Sequence, residues 1–185
     1  MSRGPNFKPS AKDPNPVQAW YDRLEKGRFG GNAPLCQWIG PDLWLYHPDK
    51  HFPFFFERAN GERITPGEIR GGLVSFDTDG GSIPDYVRGL PNMSRWHFGG
   101  AYLIHDWEWH LHSQGWPVRS FQETNLVLCE AVKTLIEDGY ISHDSFQGDA
   151  GTVRNIYRGV QSPFARHKWD NHTKAKQTPL DNAEH

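Results

Sequence analysis

Two short motifs carry the side chains best suited to chemistry. The first, Asp77-Thr78-Asp79-Gly80-Gly81-Ser82-Ile83-Pro84, is a turn of carboxylates and glycines. The second, Ala101-Tyr102-Leu103-Ile104-His105-Asp106-Trp107, places a His-Asp pair in an apolar stretch that is predicted to be helical. Ionisable groups in apolar surroundings have perturbed pKa values, which is common in functional sites. The two motifs together therefore define a candidate site.

The aspartates of the turn can act in two ways. Asp77 and Asp79 can hydrogen-bond the backbone of their own turn, with Gly80 and Gly81 at positive φ. Alternatively, their carboxylates can supply oxygen ligands to a hard cation, while the glycines let the backbone approach closely. Oxygen ligands favour Ca²⁺ over Zn²⁺, so a single divalent cation of this kind is the cofactor predicted.

The histidine of the second motif also has two interpretations. His105 is either a hydrogen-bonded core residue or a general base or metal ligand. Asp106 and His110 are four residues apart, so both could reach one ion. The residue four after His105 is Trp109, so the His-Glu-x-x-His pattern of zinc peptidases is absent. Further ionisable side chains crowd the same two helical turns: Glu108 and His112.

Composition excludes several classes of function. A formal net charge of −2 and a pI near 6.5 argue against a nucleic-acid partner, which would require clustered basic residues. The two cysteines, Cys36 and Cys129, show no disulfide or zinc-site spacing and are expected to be reduced and buried. No apolar run approaches the roughly 20 residues that span a bilayer, and no signal region follows Met1.

The first half of the chain is predicted to contain an arm, a short helix and a small sheet. Residues 1 to about 14 lack apolar periodicity and are expected to be disordered or to order only against a partner. Asn15-Pro16 is typical of a helix start, and Gly27 is the predicted stop. Residues 30–41 are rich in glycine and proline and are predicted to be a connection. Short aromatic and β-branched segments over residues 43–76 predict a small antiparallel sheet, with a hairpin turn at Asn60-Gly61.

The second half is predicted to be a bundle of about three helices. The first runs from a cap at Ser94 to about Ser113, and the second from the capping box at Ser120 to Gly139. The third runs from about residue 150 to Val160 and is stopped by Pro163. The predicted fold is α+β: an arm, helix and connection over residues 1–42, a single domain over 43–167 and a loose polar tail over 168–185.

The order of these motifs resembles an uncharacterised protein family that is widespread in tailed bacteriophages and prophages. The resemblance covers about residues 43–169 and rests on the Thr78–Pro84 string followed by His105-Asp106. It also includes the Glu123 helix, Ile156-Tyr157-Arg158 and a late Trp169. It implies a phage origin and a small α+β domain, and it implies no established activity. The family usually carries an aspartate early in the second helix, where this chain has Asn125.

A looser similarity to secreted and viral phospholipases implies a mechanism. In those enzymes a glycine-rich calcium loop accompanies a His-Asp pair on one helix and an orienting aspartate on the antiparallel helix. The corresponding parts here are residues 79–82, His105-Asp106 and the region around Asn125. The similarity implies that His105 is the general base and that Asp106 and the loop hold Ca²⁺. The candidate catalytic set also contains Ser82 and Asn125, and further candidates are Gly80, Gly81, Glu108 and Glu123.

Two functions follow as expectations. The first is a phage-encoded hydrolase-like domain that cleaves an ester or amide in the host envelope with the help of a divalent cation. The second is a non-catalytic virion or assembly component, bound to other virion proteins through the N-terminal arm, in which the His-Asp cluster is structural. Inhibition of a host defence is a third option that leaves no mark in the sequence. The expected location is the host cytoplasm during infection, or the virion.

Overall fold

The computed structural model describes residues 15–80, 97–141 and 148–172. It confirms an α+β fold. Its strands are β1 (Arg28–Gly30), β2 (Leu35–Gly40), β3 (Leu43–His47), β4 (Phe55–Glu57), β5 (Arg63–Ile64), β6 (Glu68–Ile69), β7 (Gly72–Leu73) and β8 (Phe76–Thr78). Its helices are α1 (Pro16–Asp22), α2 (Gly99–Ser113), α3 (Phe121–Glu137), α4 (Gly148–Val160) and α5 (Pro163–His172). Among these residues no helix is both long and apolar enough to cross a bilayer.

The strands form three small antiparallel sheets rather than the one predicted. Their orders are β1-β4-β5, β2-β3-β8 and β6-β7. The Asn60-Gly61 hairpin is confirmed, since β4 and β5 pair around it and Gly61 has a φ of +85°. The prediction that residues 30–41 are only a connection is wrong, because β2 lies there and pairs with β3.

The first glycines of that region have a packing role. Gly31 has a φ of +80°, and a Cβ on it would lie 2.0 Å from the carbonyl oxygen of Pro53. A Cβ on Gly30 would meet the Phe55 ring at 2.3 Å. These glycines allow β1 to lie directly against the segment that leads into β4, which a residue with a side chain would prevent.

Helix α3 is the centre of the core. Its Val127, Leu128, Ala131 and Val132 are fully buried. Helices α2 and α4 pack on it, and α1 packs on α4. The β2-β3-β8 sheet reaches α2 through Phe76, whose ring centroid lies 4.9 Å from that of Trp107. The sequence prediction of a helical bundle beside a sheet therefore holds, with α3 as the shared element.

The boundaries of α1 confirm its predicted start and correct its predicted end. Asn15 caps α1 as predicted, accepting a hydrogen bond from the Gln18 amide, but α1 ends at Asp22 rather than near Gly27. Lys133, on α3, is buried and donates hydrogen bonds to the carbonyls of Tyr21 and Leu24. It thus provides hydrogen-bond donors for carbonyl groups at and just after the end of α1. The predicted start at Ser94 lies outside the described residues.

The C-terminal part contains one more helix than predicted. Pro163 does not only end α4; it also begins α5, and Ser162 accepts a hydrogen bond from the Ala165 amide as the cap. The tail predicted to be loose from Lys168 is therefore helical to His172, and Trp169 is buried within it.

A network of ion pairs joins the β4-β5 hairpin to the helices. The Arg58 guanidinium contacts Glu130 at 2.7 and 2.9 Å, Glu123 at 2.7 Å and Glu62 at 3.1 Å. Glu62 also pairs with Arg119, which in turn pairs with Glu108. The side chains of Arg58, Glu130 and Glu108 are only 11%, 5% and 4% exposed. We call these six residues the Arg58–Arg119 network.

Removal of Arg58 is expected to be strongly destabilising. Arg58→Met leaves the carboxylate of Glu130 buried without its partner, and burial already raises the pKa of that group against the effect of Arg58. Breaking one side of a buried pair costs about 3–5 kcal/mol of the free energy of unfolding. Urea unfolding measures this cost.

The matched control is Arg28→Met, because Arg28 also makes a two-point contact with a glutamate but is 60% exposed. That variant should unfold nearly as wild type does. Equal effects of the two substitutions would contradict a stabilising role for the network.

Candidate functional site

The acidic turn and the His-Asp helix meet in the structure. Thr78, the last residue of β8, is buried, and its hydroxyl donates to a carboxylate oxygen of Asp106 on α2. The same hydroxyl accepts a hydrogen bond from the Gly80 amide at 3.0 Å. Gly80 has a φ of +73°, a backbone conformation that favours glycine. One threonine side chain thus joins the turn to the helix.

The two aspartates of the turn differ in burial. Successive side chains in a strand point to opposite faces, and Asp77 is exposed whereas Thr78 faces the interior. Asp79 is half-buried, and its charge acts on both His105 and Asp106. Asp79 is therefore the better placed of the two predicted ligands. Gly81 and Ser82 lie outside the described residues.

His105 is buried and held by α3. Its Nε2 lies 2.8 Å from Oδ1 of Asn125, which is fully buried. The Asn125 amide group donates to the carbonyl of Val160 at 3.1 Å, so its oxygen must face the imidazole. An amide oxygen only accepts, so Nε2 carries the proton, and Nδ1 is the basic nitrogen of the neutral ring. Among the described residues, no hydrogen bond is made to Nδ1.

Trp109 is a second neighbour of the same imidazole nitrogen. Its indole Nε1 lies 3.2 Å from Nε2 of His105. Indole N–H groups only donate, so Trp109 and Asn125 make opposite demands on one nitrogen. The hydrogen bond to Val160 turns the Asn125 oxygen toward the imidazole, so Nε2 is assigned as a donor to Asn125 rather than as an acceptor from Trp109. The i, i+4 spacing of His105 and Trp109 was the sequence signal for this contact.

Burial shifts the pKa values of the pair in opposite directions. For His105, burial lowers the pKa from 6.5 to about 4, against smaller opposing effects of Asn125 and Asp79. For Asp106, burial raises the pKa to about 8; the Asp79 and Asp77 charges add to this, and the Thr78 hydrogen bond opposes it. Both side chains are therefore disfavoured as ions in this environment.

Several polar groups near Asp106 were not singled out from the sequence. Tyr102, one helical turn before Asp106, is buried, and its hydroxyl has no hydrogen-bond partner among the described residues. Tyr46 is in the same situation and lies opposite Cys36 in the β2-β3 pair. Burial raises the pKa of Cys36, and the Asp106 charge adds to the rise. The surroundings of Asp106 thus hold polar atoms that a bound ion or water could satisfy.

Other predicted site residues lie elsewhere. The ring of His110 packs between Trp107 and Phe76, with centroid distances of 5.4 Å to each. Glu108 and Glu123 belong to the Arg58–Arg119 network. Within the described segments, no group of three or more His, Cys, Asp or Glu side chains is arranged to hold a metal ion.

The chain was compared with protein families, characterised proteins and solved structures. No match was found in any of the three. The resemblances to a phage family and to phospholipases therefore stay predictions, and the chemistry of the site has to be argued from its own residues.

The buried histidine should make stability depend on pH. The pKa of His105 is near 6.5 in the unfolded chain and about 4 in the folded protein. The free energy of unfolding is therefore unaffected by this group above pH 6.5 and decreases as the pH falls from 6.5 toward 4, because only the unfolded chain takes up the proton. The loss amounts to about 3 kcal/mol. Urea unfolding of wild type and His105→Gln from pH 8 to pH 4 should show the wild-type advantage shrinking as pH falls. A constant difference would refute the neutral, buried state of His105.

Proposed function

We propose that the protein is a hydrolase in which His105 is the general base and a divalent cation is held beside Asp106. The observation that carries the proposal is the Asn125 contact, which directs the imidazole proton to Nε2 and makes Nδ1 the base. A neutral imidazole with one nitrogen oriented by a buried partner has the protonation state and orientation of a general base, and the burial that lowers its pKa to about 4 weakens it as a base.

The residues present fit a hard cation better than a soft one. The groups gathered around Asp106 are the carboxylate of Asp79 and the hydroxyl of Thr78, which are oxygen donors. The Tyr102 hydroxyl, which has no hydrogen-bond partner among the described residues, provides another oxygen in the same region. Asp106 and Asp79 would hold the ion, and Ca²⁺ bound there would stabilise negative charge that develops on a substrate oxygen.

The protein's own residues would then have separate roles in the reaction. His105 Nδ1 takes a proton from the attacking water and later returns it to the leaving group. Asn125 keeps the ring in one orientation throughout, but it cannot stabilise the imidazolium by charge as an aspartate would. Asp79 supplies the negative charge that favours the protonated ring. We propose an ester or amide of the host envelope as the substrate, on the basis of the resemblance to phage proteins and phospholipases.

Cation binding tests this proposal without a known substrate. After chelation, Ca²⁺ at a hundred times its dissociation constant should stabilise the folded protein by about 2.7 kcal/mol, seen as a higher unfolding temperature. Mg²⁺, Mn²⁺ and Zn²⁺ are tested alongside. Asp106→Asn and Asp79→Asn should abolish the shift, whereas Asp77→Asn is the matched control and should keep most of it, because Asp77 is exposed and its charge has the smallest of the effects on Asp106.

Hydrolysis is then measured on phospholipid vesicles and on cell-wall preparations. His105→Gln should abolish the activity and His110→Gln, on the same helix, should retain it. Absence of a cation-dependent shift, or activity that survives His105→Gln, would reject the hydrolase.

The second candidate is a non-catalytic virion or assembly component. It is favoured by exposed apolar side chains at the tip and edge of the β2-β3 hairpin: Leu35, Trp38, Ile39 and Leu43, which are 36–68% exposed. Such a patch is typical of a surface that docks on another protein. In that case purified virions would contain the protein, and His105→Ala would cost a few kcal/mol because it leaves buried Asn125 without a partner.

A further inference from the structure

Helix α5 is attached to the rest of the protein mainly through one side chain. Among its described side chains only Trp169 is buried, at 6% exposed, whereas Phe164 on the same helix is 66% exposed. Two residues, Gln161 and Ser162, separate α5 from α4. An element with so little buried apolar surface opens at a free energy well below that of global unfolding.

The buried tryptophan lies against the neighbours of His105. The Trp169 ring is 5.0 Å from that of Trp109 and nearly perpendicular to it, and it stacks on His112 at 3.8 Å. Nε2 of His112 also lies 3.0 Å from the Trp169 carbonyl oxygen. Trp109 in turn contacts His105. A continuous row of rings therefore runs from α5 to the candidate base.

Burial of His105 conflicts with its proposed reaction. A base that is 9% exposed cannot meet a substrate unless something moves away from it. Asn125, the other hydrogen-bond partner of the ring, is fully buried on α3, and Asp79, whose charge acts on His105, is half-buried just after β8. Of the two described residues that contact the ring, Trp109 is the one that leads to an element with a small buried surface, which is α5.

We propose that α5 is a latch over His105: Trp169 holds Trp109 against the imidazole, and release of α5 exposes the ring. This proposal rests on the assignment of His105 as the reacting group under the proposed function. Release also frees the indole N–H of Trp109 from its conflict with the protonated Nε2. The latch thus controls both access to the imidazole and its hydrogen bonding.

The latch is tested by the rate at which diethyl pyrocarbonate carbethoxylates His105, followed by peptide mass spectrometry at neutral pH. In wild type the reaction should be slow. Trp169→Leu should accelerate it at least tenfold, because the substitution removes the ring contacts that hold Trp109. Phe164→Leu is the matched control: it removes an exposed aromatic ring from the same helix and should leave the rate unchanged.

Hydrogen exchange of the α5 amides and near-ultraviolet circular dichroism confirm that the variant has a loosened helix and a folded core. Should Trp169→Leu fail to fold, Arg166→Ala replaces it, since Arg166 lies 5.2 Å above the Phe121 ring and also pairs with Asp170. It should accelerate the reaction several-fold. An unchanged His105 rate in a variant whose α5 exchanges faster would overturn the latch. Faster modification without any hydrolysis would keep the latch and reject the hydrolase.

Discussion

The hydrogen bond from Thr78 to Asp106 joins the two halves of the chain at the point where ionisable groups are buried. It lies between the end of β8 and the middle of α2, and it brings the charge of Asp79 toward His105. Burial of a carboxylate is costly unless hydrogen bonds or a counter-charge compensate it. The Thr78 hydroxyl supplies one such hydrogen bond, and the buried Tyr102 hydroxyl, which has no partner among the described residues, lies in the same region.

Helix α3 holds His105 in place and also binds the elements packed around it. Asn125, in its first half, orients His105 and is itself oriented by the end of α4. Farther along, Glu130 binds Arg58, and Lys133 holds the end of α1. The same helix therefore anchors the hairpin, the first helix and the imidazole, so the position of the base depends on the packing of the whole core. A substitution that shifts α3 is therefore expected to change both the position of His105 and the free energy of unfolding.

Local signals predicted much of the fold, and long-range contacts account for the rest. Asn15-Pro16 correctly predicted a helix start, yet the same kind of signal at Ser162-Pro163 was interpreted only as a stop. Strand β2 was missed because the glycines and prolines around it are typical of loops. The site motifs were visible, but the ion pairs of Glu123 and Glu108 join residues 65 and 11 positions apart, which local patterns do not reveal.

The site depends on a neutral His105 with its proton on Nε2, and nitrogen-15 spectroscopy of the histidine side chains detects that proton. At pH 7 we expect Nδ1 of His105 to have the chemical shift of an unprotonated nitrogen and Nε2 that of a protonated one. Asn125→Leu, which removes the acceptor, should mix or reverse the two forms as Trp109 becomes the remaining described partner. A proton on Nδ1 in the wild-type protein, or a doubly protonated ring at pH 7, would contradict this protonation state and the role of Asn125.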